Sequence, residues 1–337
     1  SATLRKAITC ANANGSADDI NLNGQTVTLT DSVGDFIGAT GLPQVTTPIS
    51  VRNGTITRSG ASEFRFFSVS NTGNLTLRDL NLSNGGGASY ASNGGTISTL
   101  GSSSTLNVVN TTISGSQNAV LQNGSAIFTN ANFTLVNSSV IGGRSGRGAI
   151  ASANGPVLIQ NSRITGNVGP TTINGAGALY FSSVASATIV NSTIVGNYVA
   201  TTVATQSGGI YADTGAVNLT IRNSILWGNR NSGNTAPQIV NASTGTTTVS
   251  NSLIEGGFPG GTNILSADPL FVVPITASTT PTTAGNFQLA DLSPAIDAGA
   301  NADVPVDALD VDGDSNTTEE APDRAGASRR VNDAVVP

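Results

Sequence analysis

An Asn-led motif returns through most of the chain and constrains the fold more than any other feature. Aligned on its first residue it reads Asn53-Gly-Thr-Ile56, Asp79-Leu-Asn-Leu82, Asn110-Thr-Thr-Ile113, Asn137-Ser-Ser-Val140, Asn161-Ser-Arg-Ile164, Asn191-Ser-Thr-Ile194, Asn223-Ser-Ile-Leu226 and Asn251-Ser-Leu-Ile254. The spacings are 26, 31, 27, 24, 30, 32 and 28 residues. A short alternating run precedes most copies, as in Leu75-Thr-Leu77, Leu106-Asn-Val108, Phe133-Thr-Leu135, Val157-Leu-Ile159 and Leu219-Thr-Ile221. Gly follows, often as Gly-Asn: Gly166-Asn167, Gly196-Asn197 and Gly228-Asn229. A further Gly-led run recurs mid-repeat at Gly148, Gly177-Ala-Leu-Tyr180 and Gly208-Gly-Ile-Tyr211.

A repeat of this length, with short alternating strands and Gly/Asn turns, predicts a solenoid. One repeat cannot bury its own apolar face, but repeats stacked about 4.8 Å apart share a continuous core. Three apolar runs per repeat predict a three-sided parallel β-helix, all-β in class. Parallel crossovers are nearly always right-handed, and so is the expected coil. Eight repeats at one strand spacing each give a body of roughly 40 Å.

The Asn column has a physical reason. One corner of each coil must leave β conformation, and Asn tolerates left-handed backbone angles better than most residues. Stacked amides can also bond to the coils above and below. Asn53, Asn110, Asn137, Asn161, Asn191, Asn223 and Asn251 are therefore expected to form a structural ladder, with Asp79 as a substitute rung. Asn110, Asn137 and Asn191 also fit the glycosylation sequon, but their periodicity favours the ladder. Asn14, Asn123 and Asn241 are the more exposed sequons.

Composition removes several functions. There is no His, so Ser-His, Cys-His and His-bound zinc chemistry are excluded. The one Cys, Cys10, closes no intramolecular disulfide. Charged residues are 10% of the chain with a single Lys, which leaves no basic footprint for nucleic acid. No run approaches the roughly 20 apolar residues of a membrane helix. Hydrophobic content of 38% with a net charge of only -6 points to a folded chain. Near-absent Lys and abundant Asn, Thr and Gly suggest secretion.

Charge divides the chain. Residues 1–290 carry 9 acids and 11 bases; residues 291–337 carry 11 acids and 3 bases. The expected organisation is one continuous domain: a capping helix over 1–15, a β-helix body over 16–257 and an irregular acidic C-terminal cap over 258–337. Leu4, Ala7, Ile8 and Ala11 share one face of the predicted helix, and Asn14-Gly15 ends it. That helix is read as a lid on the open strand edge, with Cys10 mostly buried within it.

Two segments carry a resemblance. Thr3-Leu-Arg-Lys-Ala-Ile8 with Ala11-Asn12 resembles the "CSLREA"-like box of bacterial cell-surface right-handed β-helix proteins. Asn263-Ile-Leu-Ser-Ala-Asp-Pro-Leu-Phe271, then Leu292-Ser-Pro-Ala-Ile-Asp-Ala-Gly299, resembles their choice-of-anchor Q region. The resemblance implies a secreted or surface-displayed β-helix and supplies no reaction. Family members usually add a strand before the first box and a "D-x-G-A-Y-E"-like strand after the second. The expectation is that such strands were removed or that a neighbouring subunit supplies them.

For chemistry, the acidic run Asp307, Asp310, Asp312, Asp314 and Asn316 is the candidate metal site. Alternating oxygen side chains on a Gly-containing loop suit a structural Ca²⁺. Its competitor is a solvated acidic loop paired with Arg324, Arg329 or Arg330. Glu319 and Glu320 follow. Catalytic residues are assigned to none. Glycoside hydrolysis needs paired carboxylates, whereas residues 50–256 hold only Glu63, Asp79, Asp213 and Glu255, on well-separated repeats. Arg144 with Arg147, or Arg222 with Arg230, could contact a uronate. Tyr180 and Tyr211 occupy equivalent places and could stack a sugar, though stacking on each other is the favoured expectation. Thr26-Val-Thr28 and Thr246-Thr-Thr248 do not align into a flat lattice-binding column.

The resulting expectation is a non-catalytic extracellular structural protein, associating head to tail into a filament or stalk. Arg5, Lys6 and Arg52 near one end and the acidic region at the other motivate self-association. The alternative is a carbohydrate-binding or polysaccharide-degrading β-helix, with cell-surface polysaccharide as partner.

Overall fold

The structure, a computed structural model, describes residues 1–34, 37–144, 146–169, 174–201, 206–234 and 237–327. Arg329 and Arg330, named above as possible partners of the acidic loop, lie outside these residues. The body is a parallel β-solenoid of about eight turns with three faces.

The first face stacks the alternating runs: Asn74–Ser83, Thr105–Val109, Asn132–Val136, Val157–Gln160, Ser186–Val190, Asn218–Arg222 and Thr247–Ile254. All pair in parallel and in register, so Leu106, Phe133, Val157, Ala187 and Leu219 form one inward column. Val108, Leu135, Ile159, Ile189 and Ile221 form the next. The second face stacks Thr112–Ser114, Ser139–Ile141, Arg163–Thr165, Thr193–Val195 and Ile225–Trp227. Ile113, Val140, Ile164, Ile194 and Leu226 point into the core from there. The third face runs from Phe67–Val69 to Ile239–Asn241 in seven strands and adds Ile97, Ile127, Ile150, Leu179 and Ile210. Small β-branched and aliphatic side chains fill a narrow coil, which is why so few aromatics are used.

The corner between the first and second faces is the Asn column. Asn53, Asp79, Asn110, Asn137, Asn161, Asn191, Asn223 and Asn251 all have φ between 47° and 59°. Asn23 and Asn263 extend the column at both ends with φ 52°. The next position solves a second problem of the corner. Where the backbone turns, the N–H facing the following coil has lost its carbonyl partner, and a buried hydroxyl accepts it instead. The N–H groups of Thr111, Ser138, Ser162, Ser192 and Ser224 donate to the hydroxyls of Ser138, Ser162, Ser192, Ser224 and Ser252, at 3.1–3.2 Å. Each Ser hydroxyl in turn donates to the carbonyl two residues earlier, as Ser162 does to Gln160 at 2.8 Å. The Asn-Ser dipeptide thus encodes a left-handed corner and an acceptor for the buried N–H.

A third ladder runs inside the opposite corner. Asn167, Asn197 and Asn229 are fully buried. The Asn167 amide donates to Asn197 Oδ1, and the Asn197 amide to Asn229 Oδ1, both at 2.9 Å. Asn229 donates to Gln238 Oε1 at 2.7 Å. The row ends at Glu255, which Gln238 reaches at 3.2 Å and Arg230 holds through two 2.6 Å contacts.

The helix α1, Ala2–Asn14, ends at Gly15 in the left-handed conformation. Leu4, Ile8 and Ala11 enter the main core. Arg5 donates to Gly41 O and pairs with Asp31, and Asn12 bonds Gln44 O and the Thr46 N–H. Cys10, expected within the buried face, is exposed. It lies two positions beyond Ile8, about 200° round the helix, which turns it away from the core.

Candidate metal centre and the C-terminal strap

After the last coil strand, Thr262–Leu265, the chain turns back along the rod. The region expected as a cap is irregular, and its described contacts run along the flank of the coils: the acidic stretch expected at the far end lies beside Arg78 and Asn110, and Arg5 and Arg52, expected to face it from the other end, pair with Asp31 and Asp19. The segment joining an antiparallel pair, Phe271–Val273 with Asn286–Leu289, lies against the glycine corner after the second face through Ile275, Thr282 and Thr283. Gly166 and Gly196 there have φ near 65°, and a Cβ on them would sit 2.1 Å from Thr282 O and 2.4 Å from Ile275 Cγ1. Thr282 N–H donates to Gly166 O at 3.0 Å, and Arg163 lies over the Phe287 ring at 5.5 Å. Burial lowers the Arg163 pKa.

The strap then follows the Asn column. Asn223 exchanges two hydrogen bonds with Ala300, at 2.8 and 2.9 Å, and Asn251 donates to Asp303. Further along, Asn110 donates to Val311 O at 2.7 Å, Asn161 to Pro322 O at 2.9 Å, and Arg324 to Ser138 O at 2.8 Å. Arg78 bonds the carbonyls of Leu309 and Asp310. The amides that remain between coils behave as the ladder predicts: Asn137 donates to Asn110 Oδ1 at 2.6 Å and Asn161 to Asn137 Oδ1 at 3.0 Å. The column is therefore part ladder and part docking strip. Asn191 lies between the two docked stretches, and its Nδ2 is buried without a partner, beside a cavity of about 380 Å³.

The acidic residues lie on the docked stretch. Val306 bridges Glu320, Asp307 N–H donates to Glu319 O at 2.8 Å, and Ala321 N–H donates to Pro305 O. This short antiparallel contact sets Asp307 opposite Glu319. Val311 packs on Val109 and Val136 and fixes the loop to the rod. Asp307 is 1% exposed. Its Oδ2 accepts the Val311 N–H at 2.8 Å, while its Oδ1 is buried without a partner, as is Glu319 Oε1. Burial first, then the neighbouring carboxylates, raises the pKa of both groups.

Oxygens of Asp307, Asp312 and Glu319 lie within 4.8 Å of one another, as do those of Asp310, Asp312 and Asp314. The acidic cluster near the C-terminus could therefore bind a metal ion. Four of the five residues named from sequence belong to these groups. The fifth, Asn316, is engaged beside them: its Oδ1 accepts from Thr318 and its Nδ2 donates to Glu319 Oε2 at 3.1 Å, so it orients Glu319. Sequence reasoning noted Glu319 without assigning it, since only the 306–320 bridge brings it to Asp307.

Elsewhere the named residues are engaged in the fold. Tyr180 and Tyr211 stack on each other, with centroids 6.3 Å apart and planes 9° apart, and each is 4% exposed. That arrangement leaves no open ring face for a sugar, because the pair forms a small cluster of its own with Ala151 and Ala176. Tyr180 donates to Asp213 at 2.7 Å and Arg147 lies over its ring. Of the uronate candidates, Arg230 holds Glu255, Arg222 pairs with Asp303 at 3.4 Å, and Arg144 bonds Thr279 O. Glu63 accepts the Ser89 N–H. Arg65, 1% exposed, was not singled out from sequence; it donates to Tyr90 and to Ile37 O, each at 2.7 Å.

No protein-family model matches the chain, and no curated protein matches it. Among solved structures it is similar to the crystal structure of pectate lyase Pel9A, at 16% identity and a TM-score of 0.47, covering 96% of this chain and 90% of that one.

Proposed function

We propose that this chain is a non-catalytic structural protein of the bacterial cell surface, an extracellular rod that associates head to tail into a filament or stalk. The observation that carries this reading is where the ionisable groups of the body are spent. Asp79 is a rung of the left-handed column, Glu255 closes the inner ladder, Asp213 holds Tyr180 and Glu63 ties down a turn. Among the described residues, both groups of three or more carboxylates lie on the strap, within 307–319. Hydrogen-bonded ladders along the whole rod suit a load-bearing role. The resemblance of the two end segments to surface β-helix proteins supports an extracellular site. A Ca²⁺ ion on the strap fits here as a staple.

Electron microscopy of concentrated protein with Ca²⁺ tests the reading, together with a glycan array and a uronate-release assay. Filaments without saccharide cleavage are the expected result. Isolated particles that bind or cleave a polysaccharide would overturn it in favour of a carbohydrate-active β-helix.

A further inference from the structure

We propose that Asp307, Asp312 and Glu319 form a Ca²⁺ clamp that holds the strap against the rod. This deepens the structural reading above by giving its staple a ligand set and a consequence. Asp307 is the residue that an acidic surface loop does not explain. Its carboxylate is carried inside by the packing of Val311 on Val109 and Val136, and one of its two oxygens has no partner there. Glu319 faces it across the 306–320 bridge with another buried, unpartnered oxygen. Carboxylates brought this close repel each other unless a cation or a shared proton lies between them. The four ion pairs among the described residues use Asp19, Asp31, Asp303 and Glu255 and none of these acids. Arg78 reaches the loop but spends its guanidinium on the Leu309 and Asp310 carbonyls.

The geometry suits Ca²⁺. Two ligands at roughly 2.4 Å from one ion are at most about twice that apart, and the oxygens of Asp307, Asp312 and Glu319 meet this limit. All donors are hard oxygens on an irregular loop, which favours the flexible shell of Ca²⁺ over the near-ideal octahedron of Mg²⁺. Asp310, Asp312 and Asp314 each accept a loop amide, from Ser315, Asp314 and Asn316, and so shape the turn that presents Asp312. Asn316 steers Glu319 from behind. Closing the clamp fixes Leu309 to Val311, the stretch bonded to Arg78 and Asn110, and so secures the strap on the Asn column.

Calorimetric titration of the full chain with CaCl₂ tests this, beside hydrogen exchange with and without EDTA. The expected result is one saturable Ca²⁺ site, weakened roughly tenfold or more by Asp307→Asn and by Glu319→Gln. Asp314→Asn should weaken it less. Ca²⁺ should slow exchange of the Asp307, Val311 and Ala321 amides. In EDTA both clamp variants should melt no lower than wild type, because each removes a carboxylate charge; this also shows that they fold. No saturable binding at millimolar Ca²⁺ overturns the proposal. So does a loss in Asp314→Asn that spares Asp307→Asn, which would place the ion on the outer group. Microscopy and saccharide assays are read separately, so failure of the clamp and failure of the filament reading are distinct results.

Discussion

Asn161 and Pro322, 161 residues apart in sequence, meet at 2.9 Å, and the same Asn161 amide also reaches Asn137 at 3.0 Å. One side chain thus joins a coil to its predecessor and to the returning strap, in a left-handed conformation that Asn accepts readily.

Replacing Asn161 separates these contributions. Asn161→Gly keeps the left-handed corner and loses the hydrogen bonds to Asn137 and Pro322, for about 1–3 kcal/mol. Asn161→Ala adds about 1–2 kcal/mol of backbone strain. Urea unfolding should rank wild type above Gly above Ala. Equal stability of the two variants would show that the corner does not demand its conformation.

The hydroxyl row makes a sharper case. Ser192→Ala leaves the buried Ser162 N–H without its 3.1 Å acceptor, an expected cost of about 1–3 kcal/mol. Ser103→Ala, on an exposed turn, should stay within about 0.5 kcal/mol. Thermal melts of the two variants check the difference.

Two glycines of the same column test the strap. Gly166 and Gly228 share φ 65°, but a Cβ at Gly166 meets Thr282 O at 2.1 Å, whereas at Gly228 its nearest neighbour is 3.8 Å away. Both Ala variants carry the backbone strain; only Gly166→Ala should also dislodge the strap. Hydrogen exchange at the Thr282 amide should rise severalfold in Gly166→Ala and stay unchanged in Gly228→Ala.

Alkali should weaken the protein through its tyrosines. Burial, and for Tyr180 the bond to Asp213, raises the pKa of Tyr180 and Tyr211 above 10.0, and burial does the same for Tyr90. Above pH 10 the unfolded chain ionises these phenols while the folded chain keeps them protonated. The unfolded state then binds fewer protons, so stability falls as pH rises. Tyr180→Phe should flatten this fall; denaturation midpoints from pH 9 to 11.5 measure it, and an unchanged slope would exclude the Tyr180 contribution.

The coil was legible because its signals repeat. A left-handed corner selects Asn53, Asn110 and Asn161 for the same reason each time, and alternating runs such as Leu106-Asn-Val108 mark strands with one buried side. The strap was not legible. Its bonds join Arg78 to Asp310 and Ser138 to Arg324 once each, with no period to betray them. The same holds for the clamp, where the Asp307–Glu319 pairing depends on one bridge. The inner Asn167 row was visible only as Gly-Asn turns, since a turn and a buried ladder ask for the same residue.

The hydroxyl row has a direction. Every corner N–H in it is satisfied by the coil that comes later in sequence, Ser138 by Ser162 and Ser162 by Ser192. Each turn therefore lacks one acceptor until its successor is in place. A chain truncated at an internal coil would expose that corner N–H, together with the edge of its strands, to water or to the edge of another chain.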